Sequence, residues 1–166
     1  AQSRLTVVHD GTERELRLCA FAAASQYLEM HWTMSQQLGL APVELLIYLS
    51  TSMGNAQRVA TAATLPALLR DAAALPNELI VPVSRRAIAR STGLPKETVR
   101  RHVESMAARG LLQVSPKGVR ATPGVLGKAG ARRVVRRLVE LQAAHTDVLL
   151  QLGVVELRTK RPARGR

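Results

Sequence analysis

The chain has 166 residues, 46% of them apolar but only 2% aromatic, and a formal net charge of +12. That length supports one core of ordinary size built from Leu, Val, Ala and Met, which favours packed helices over a sandwich or barrel. No apolar run approaches a bilayer span, the start AQSRLTVVHD lacks the apolar centre of a secretion signal, and a lone Cys19 excludes an intramolecular disulfide.

A soluble protein of a reducing cytoplasm is therefore expected, either one compact domain or a domain with appended dimerisation helices. The first residue is alanine, as in a processed or trimmed start. Charge is unevenly placed. Residues 1–83 hold five basic and seven acidic side chains, residues 84–120 nine and two, and residues 121–166 ten and three. Positive charge thus begins near Ser84 and points to a polyanionic partner, although an arginine-rich proteome would also produce part of the bias.

Residues 1–11 read as short, polar and loosely held, with Asp10-Gly11 as a turn. Thr12 and Glu15 form a capping-box pattern, which predicts a helix from Glu13 to about Leu38, stopped by Gly39. Leu16, Ala20, Ala23, Tyr27, Met30 and Met34 make one apolar stripe along it, and Phe21, Leu28 and Trp32 a second. Two stripes need two neighbours: the same domain and a second copy of the chain in a dimer, or a monomer that folds both inward.

Pro42 suits the first turn of a second helix, which runs to about Thr61 and is apolar all round over Val43 to Leu49, as a central helix should be. Residues 62–80, with Leu65-Pro66 and Leu75-Pro76 around ALLRDAAA, read as a connector holding a short helix. Val81-Pro82-Val83 is short and extended, and Pro82 limits it to pairing on one side.

Ser84 can cap a helix from Arg85 to Arg90, and Gly93 and Pro95 make a tight break before a second helix from Lys96 to Arg109. Val99, Val103 and Met106 share one face of that second helix, and Gly110 ends it. Leu111 to Val114 and Val119 to Thr122 read as two strands around a Ser115-Pro116-Lys117-Gly118 turn with a lysine at its tip. A final long helix follows the glycines of residues 124–130. Ala131, Val134, Val135, Leu138, Leu141, His145, Val148, Leu149 and Leu152 line one of its faces, and Gly153 stops or interrupts it. Arg132, Arg133, Arg136, Arg137 and Glu140 form the opposite, solvated face, with contact to DNA the less common alternative. The tail from Arg158 reads as disordered, with sequence-independent attraction to phosphate as a second role.

The stretch AIARSTGLPKETVRRHVESMAARGLL followed by a basic hairpin resembles the winged helix-turn-helix of bacterial transcriptional regulators of the MarR and GntR type. The resemblance covers about a quarter of the chain. It implies a mainly α fold with a small β-hairpin wing and long N- and C-terminal helices at a dimer interface. Residues 1–40 would form a dimerisation helix, 41–123 the DNA-binding domain, and 124–166 a second dimerisation helix with a basic tail. The expected function is sequence-specific binding of double-stranded DNA in transcription regulation, as a cytoplasmic, nucleoid-associated homodimer. Two alternatives stand beside it. One is a ligand-responsive repressor with an effector pocket between the long helices, lined by Tyr27, Trp32, Met34 and Tyr48, residues that at such spacing more often form core. The other is an architectural, RNA-binding or protein-binding use of the same fold.

A helix fits the major groove, and side chains of its N-terminal half reach base edges. Lys96, Glu97, Thr98, Arg100 and Arg101 occupy that half. Arg101 lies almost opposite Val99 and Val103 on the helical wheel and leads as base reader, its two-donor fork suiting guanine. Thr98, with Ser84 and Arg85, suits phosphate. Glu97 either accepts from a cytosine amine or pairs with Arg101 four residues on, the commoner arrangement. Lys117 and Arg120 would enter or border the minor groove, against an ordinary solvated hairpin tip. Arg86 completes the candidate set, although its stem, like that of Arg90, can instead lie along the first helix. Enzymatic function is not expected: His9, His31, His102 and His145 are scattered, with no metal-ligand spacing, phosphate-cradling loop or nucleophile motif, and no cofactor is implied.

Overall fold

The computed structural model describes residues 3–57, 77–123 and 129–159. The protein is mainly helical. In chain order the elements are β1 (Ser3–Val7), α1 (His9–Arg14), α2 (Leu16–Leu38), α3 (Pro42–Asn55), a 3-10 turn at Asn77–Leu79, α4 (Arg85–Thr92), α5 (Lys96–Ala108), β2 (Leu112–Ser115), β3 (Gly118–Ala121), α6 (Ala129–Gln151) and β4 (Val155–Thr159). They fall into two compact units, residues 34–134 and the paired flanks 1–33 with 135–166.

The unit of residues 34–134 is organised by one apolar cluster. Leu45, Ile47 and Tyr48 of α3, Ile88 and Ala89 of α4, and Val99, Val103 and Met106 of α5 are buried together with Leu40, Leu112 and Val119. The four-and-three spacing on α5 therefore marks a core face, as the periodicity predicts. Ser84 caps α4 by accepting a hydrogen bond from the Ala87 amide at 3.1 Å. Gly93 ends it in the left-handed region, with φ +71°, where a Cβ would be strained. Pro95 is the N-cap residue of α5 rather than a first-turn residue, and Arg109 is its C-cap. The β2–β3 hairpin pairs Leu112 with Ala121 and Ser115 with Gly118, one residue later on its first strand than the sequence suggests. Val83 bridges Val119 through a reciprocal pair of backbone hydrogen bonds at 2.9 and 2.8 Å, which joins the extended segment before α4 to the hairpin.

α3 ends at Asn55, short of the expected Thr61, and Asn55 itself explains why the chain turns there. Its buried amide donates to the carbonyls of Val81 at 2.7 Å and Val119 at 3.1 Å and accepts from the Ala121 amide at 2.8 Å. One side chain thus ties the helix end to the extended segment and to β3. The expected short helix within residues 62–80 lies largely outside the described residues.

The other unit departs furthest from the sequence reading. Residues 3–7 are not loose: β1 pairs antiparallel with β4, from Ser3 opposite Thr159 to Val7 opposite Val155. Arg158 accordingly sits in a strand and not in a disordered tail; residues 160–166 lie outside the described set. Asp10-Gly11 falls inside α1, and Thr12 donates to the Val8 carbonyl at 3.1 Å within that helix, so it does not cap a helix starting at Glu13. Glu15 separates α1 from α2 as the C-cap residue of α1. Gly39 and Gly153 follow α2 and α6 with φ +62° and +67°, as expected of helix stops. No described helix is long and apolar enough to cross a membrane.

Candidate nucleic-acid interface

The exposed side of α5 is set by its buried one. With Val99, Val103 and Met106 inward, a period of 3.6 residues turns Glu97, Arg100, Arg101 and Glu104 outward. Arg101 is exposed and makes no hydrogen bond or ion pair among the described residues, which leaves its donor fork open. The same holds for Arg86, Arg90, Lys96 and Lys117, the last at the hairpin tip. Thr98 is half-buried on the flank of α5.

Glu97 does not pair with Arg101. Its partner is Arg100, three residues on, through hydrogen bonds of 2.9 Å from Nε and 2.6 Å from Nη2. Three residues also bring side chains to one side of a helix, and here the guanidinium meets both carboxylate oxygens side-on. Arg100 reaches Glu104 as well, at 2.7 Å from Nη1, and Glu104 lies 3.8 Å from Arg85 Nη2 at the start of α4. The hydrogen bonds from Arg100, helped by the charges of Arg100 and Arg101 against slight desolvation, hold Glu97 below the usual carboxylate range. Those to Glu97 and Glu104 push the Arg100 guanidinium further up. Arg85 Nε is buried without a hydrogen-bond partner among the described residues, a donor left open beside this cluster.

Other candidates are committed to the fold. Arg120 is half-buried and donates from Nη2 to the Ile80 carbonyl at 3.1 Å, so it braces the hairpin and does not extend from its tip. Ser84 Oγ accepts the capping hydrogen bond described above. Arg109 pairs with the buried Glu44 at 2.7 Å, joining the end of α5 to the start of α3. The sequence offered no signal for this pair beyond two opposite charges 65 residues apart.

Of the four side chains expected to line an effector pocket, Tyr48 is buried in the core and Met34 packs against it, while Tyr27 and Trp32 are exposed. Tyr27 stacks on His31, with ring centroids 5.9 Å apart. An open cleft of about 620 Å³ lies instead between α3 and α4, floored by Leu46, Leu49, Met53 and Ala87. No group of three or more metal-ligating side chains converges among the described residues.

Comparison of the chain with protein-family profiles, with curated proteins and with solved structures finds no match.

Proposed function

We propose that this chain is a winged helix-turn-helix regulator that binds double-stranded DNA as a homodimer, with α5 in the major groove and the β2–β3 hairpin as a wing on the flanking backbone or minor groove. The observation that carries the reading is the exposed face of α5. A helix held by the buried Val99, Val103 and Met106 presents Arg101, with Lys96 at its start and Lys117 on the adjoining hairpin, all three exposed and unpartnered among the described residues. Such a face supplies base-edge donors on a helix of the right width and phosphate partners around it.

The dimer rests on a separate observation. In one copy the second stripe of α2 and part of the first stay open to solvent: Phe21, Leu28 and Trp32 are 72%, 64% and 66% exposed, and Leu16 and Tyr27 on the other side 59% and 64%, while Met34 packs against the core. Aromatic side chains each bury about 150–250 Å² when covered, so Phe21 and Trp32 alone supply about half of the roughly 800 Å² per partner of a standard interface. An apolar stripe of this kind suits a second copy of itself, packed about a two-fold axis.

Fluorescence anisotropy of a 30-base-pair duplex and of a structured RNA, each titrated across a salt series, tests the nucleic-acid reading. Preference for the duplex, with affinity falling steeply as salt rises, is the expected result. Preference for the RNA, or no binding to either, would overturn it.

A further inference from the structure

Residues 84–120 contain two acidic side chains, Glu97 and Glu104, and both stand on the exposed face of α5. A polyanion-binding surface gains nothing from carboxylates placed there at random, since each repels phosphate. Their placement is specific. Arg100 is clasped by Glu97 at 2.6 and 2.9 Å and by Glu104 at 2.7 Å. Glu104 also lies 3.8 Å from Arg85, at the start of the preceding helix. Two guanidiniums and two carboxylates thus form a neutral cluster, while Arg101 beside them makes no hydrogen bond or ion pair among the described residues.

Resting on the DNA-binding reading above, we infer that Glu97 and Glu104 are specificity-determining residues: they hold Arg100 and Arg85 in internal ion pairs and so restrain sequence-independent binding. A phosphate that engages Arg100 must compete with the two carboxylates hydrogen-bonded to it, and one that engages Arg85 must compete with the charge of Glu104 3.8 Å away, although its Nε donor is open. On an arbitrary duplex that exchange yields little. Where Arg101 meets its base, the helix is seated deeply enough for the exchange to complete, and the base contact decides which duplexes are kept. The exposed pairs are partners that DNA can replace, and this separates them from the Arg109–Glu44 pair, whose carboxylate is buried.

The test is E104Q, which keeps the shape and removes the charge, measured on a random-sequence duplex in the full chain. Freeing one guanidinium adds one phosphate contact, which steepens the slope of log affinity against log salt by about 0.9 and raises affinity about eight-fold at 0.1 M salt. Enrichment per round from a random duplex pool falls in parallel. E97Q, whose carboxylate touches Arg100 alone, changes both readouts in the same sense but less, and serves if E104Q folds poorly by circular dichroism. The double variant R85A/R100A separates restraint from plain repulsion. In that background E104Q has no further effect on the slope if the carboxylates act by holding arginines. An equal gain there, or no gain in the otherwise unchanged chain, overturns the inference. If the unchanged chain binds no duplex, the DNA-binding reading falls and this inference with it. Duplex binding with an unaltered slope in E104Q removes only the inference.

Discussion

Arg101 and Lys117 are both exposed and without hydrogen-bond or ion-pair partners among the described residues, yet they are expected to fail differently. R101A should weaken binding to a preferred duplex by about 1–3 kcal/mol and relax one base position, because a two-donor fork to a base edge is lost. K117A should weaken all duplexes alike and lower the salt slope by about one, as loss of a phosphate contact does. Competition binding against a panel of single-base variants distinguishes the two. Glu44 bears on stability instead. Burial raises its pKa, but the hydrogen bonds from Arg109 and the Ala41 amide, with the charges of Arg109 and His102, outweigh this and leave it below its ordinary 4.5. A carboxyl lowered in the folded state adds stability that is present above the unfolded value and lost as pH falls through the folded one. Urea midpoints should therefore fall as pH drops below about 4.5, and E44Q should flatten that fall. The outward position of Arg101 was legible from helical periodicity alone, since lying opposite Val99 and Val103 needs no tertiary information. The partner of Glu97 was not, because residues three and four positions on are both within reach and only rotamers decide.

At the scale of elements, the hairpin is held by Asn55 and Gly118. Gly118 adopts φ +131°, and a Cβ there would lie 2.9 Å from the Val83 carbonyl oxygen. G118A should therefore push the hairpin off the Val83 bridge, with backbone strain of about 1–3 kcal/mol. N55A removes three hydrogen bonds and leaves the Ala121 amide without its acceptor. It should lower unfolding free energy by about 2 kcal/mol, measured by urea denaturation. Hydrogen exchange should show faster exchange in β2 and β3 for both variants. The helix, turn, helix and hairpin were readable because their signals are local: a serine cap, a glycine at positive φ, a four-and-three apolar spacing. The β1–β4 ribbon was not, because its strands stand about 150 residues apart and no turn joins them. Leu5 and Leu157 face each other only once the folded chain has brought its two flanks together.

For the molecule as a whole, the proposed function assigns the apolar stripes of α2 to dimerisation and the outward face of α5 to reading DNA, the dimer setting the spacing of two reading helices. Replacing Phe21 and Trp32, 72% and 66% exposed in one copy, with serine should shift the chain from dimer to monomer in sedimentation equilibrium. The shift should also reduce duplex affinity, since two tethered contacts reinforce each other. The measurement that bears most directly on the central claim is selection of bound duplexes from a random pool by the full chain. Two inverted half-sites, one helical turn or a multiple of it apart, are predicted from a two-fold dimer with one reading helix per copy. Recovery of a pool with no enriched sequence would contradict it.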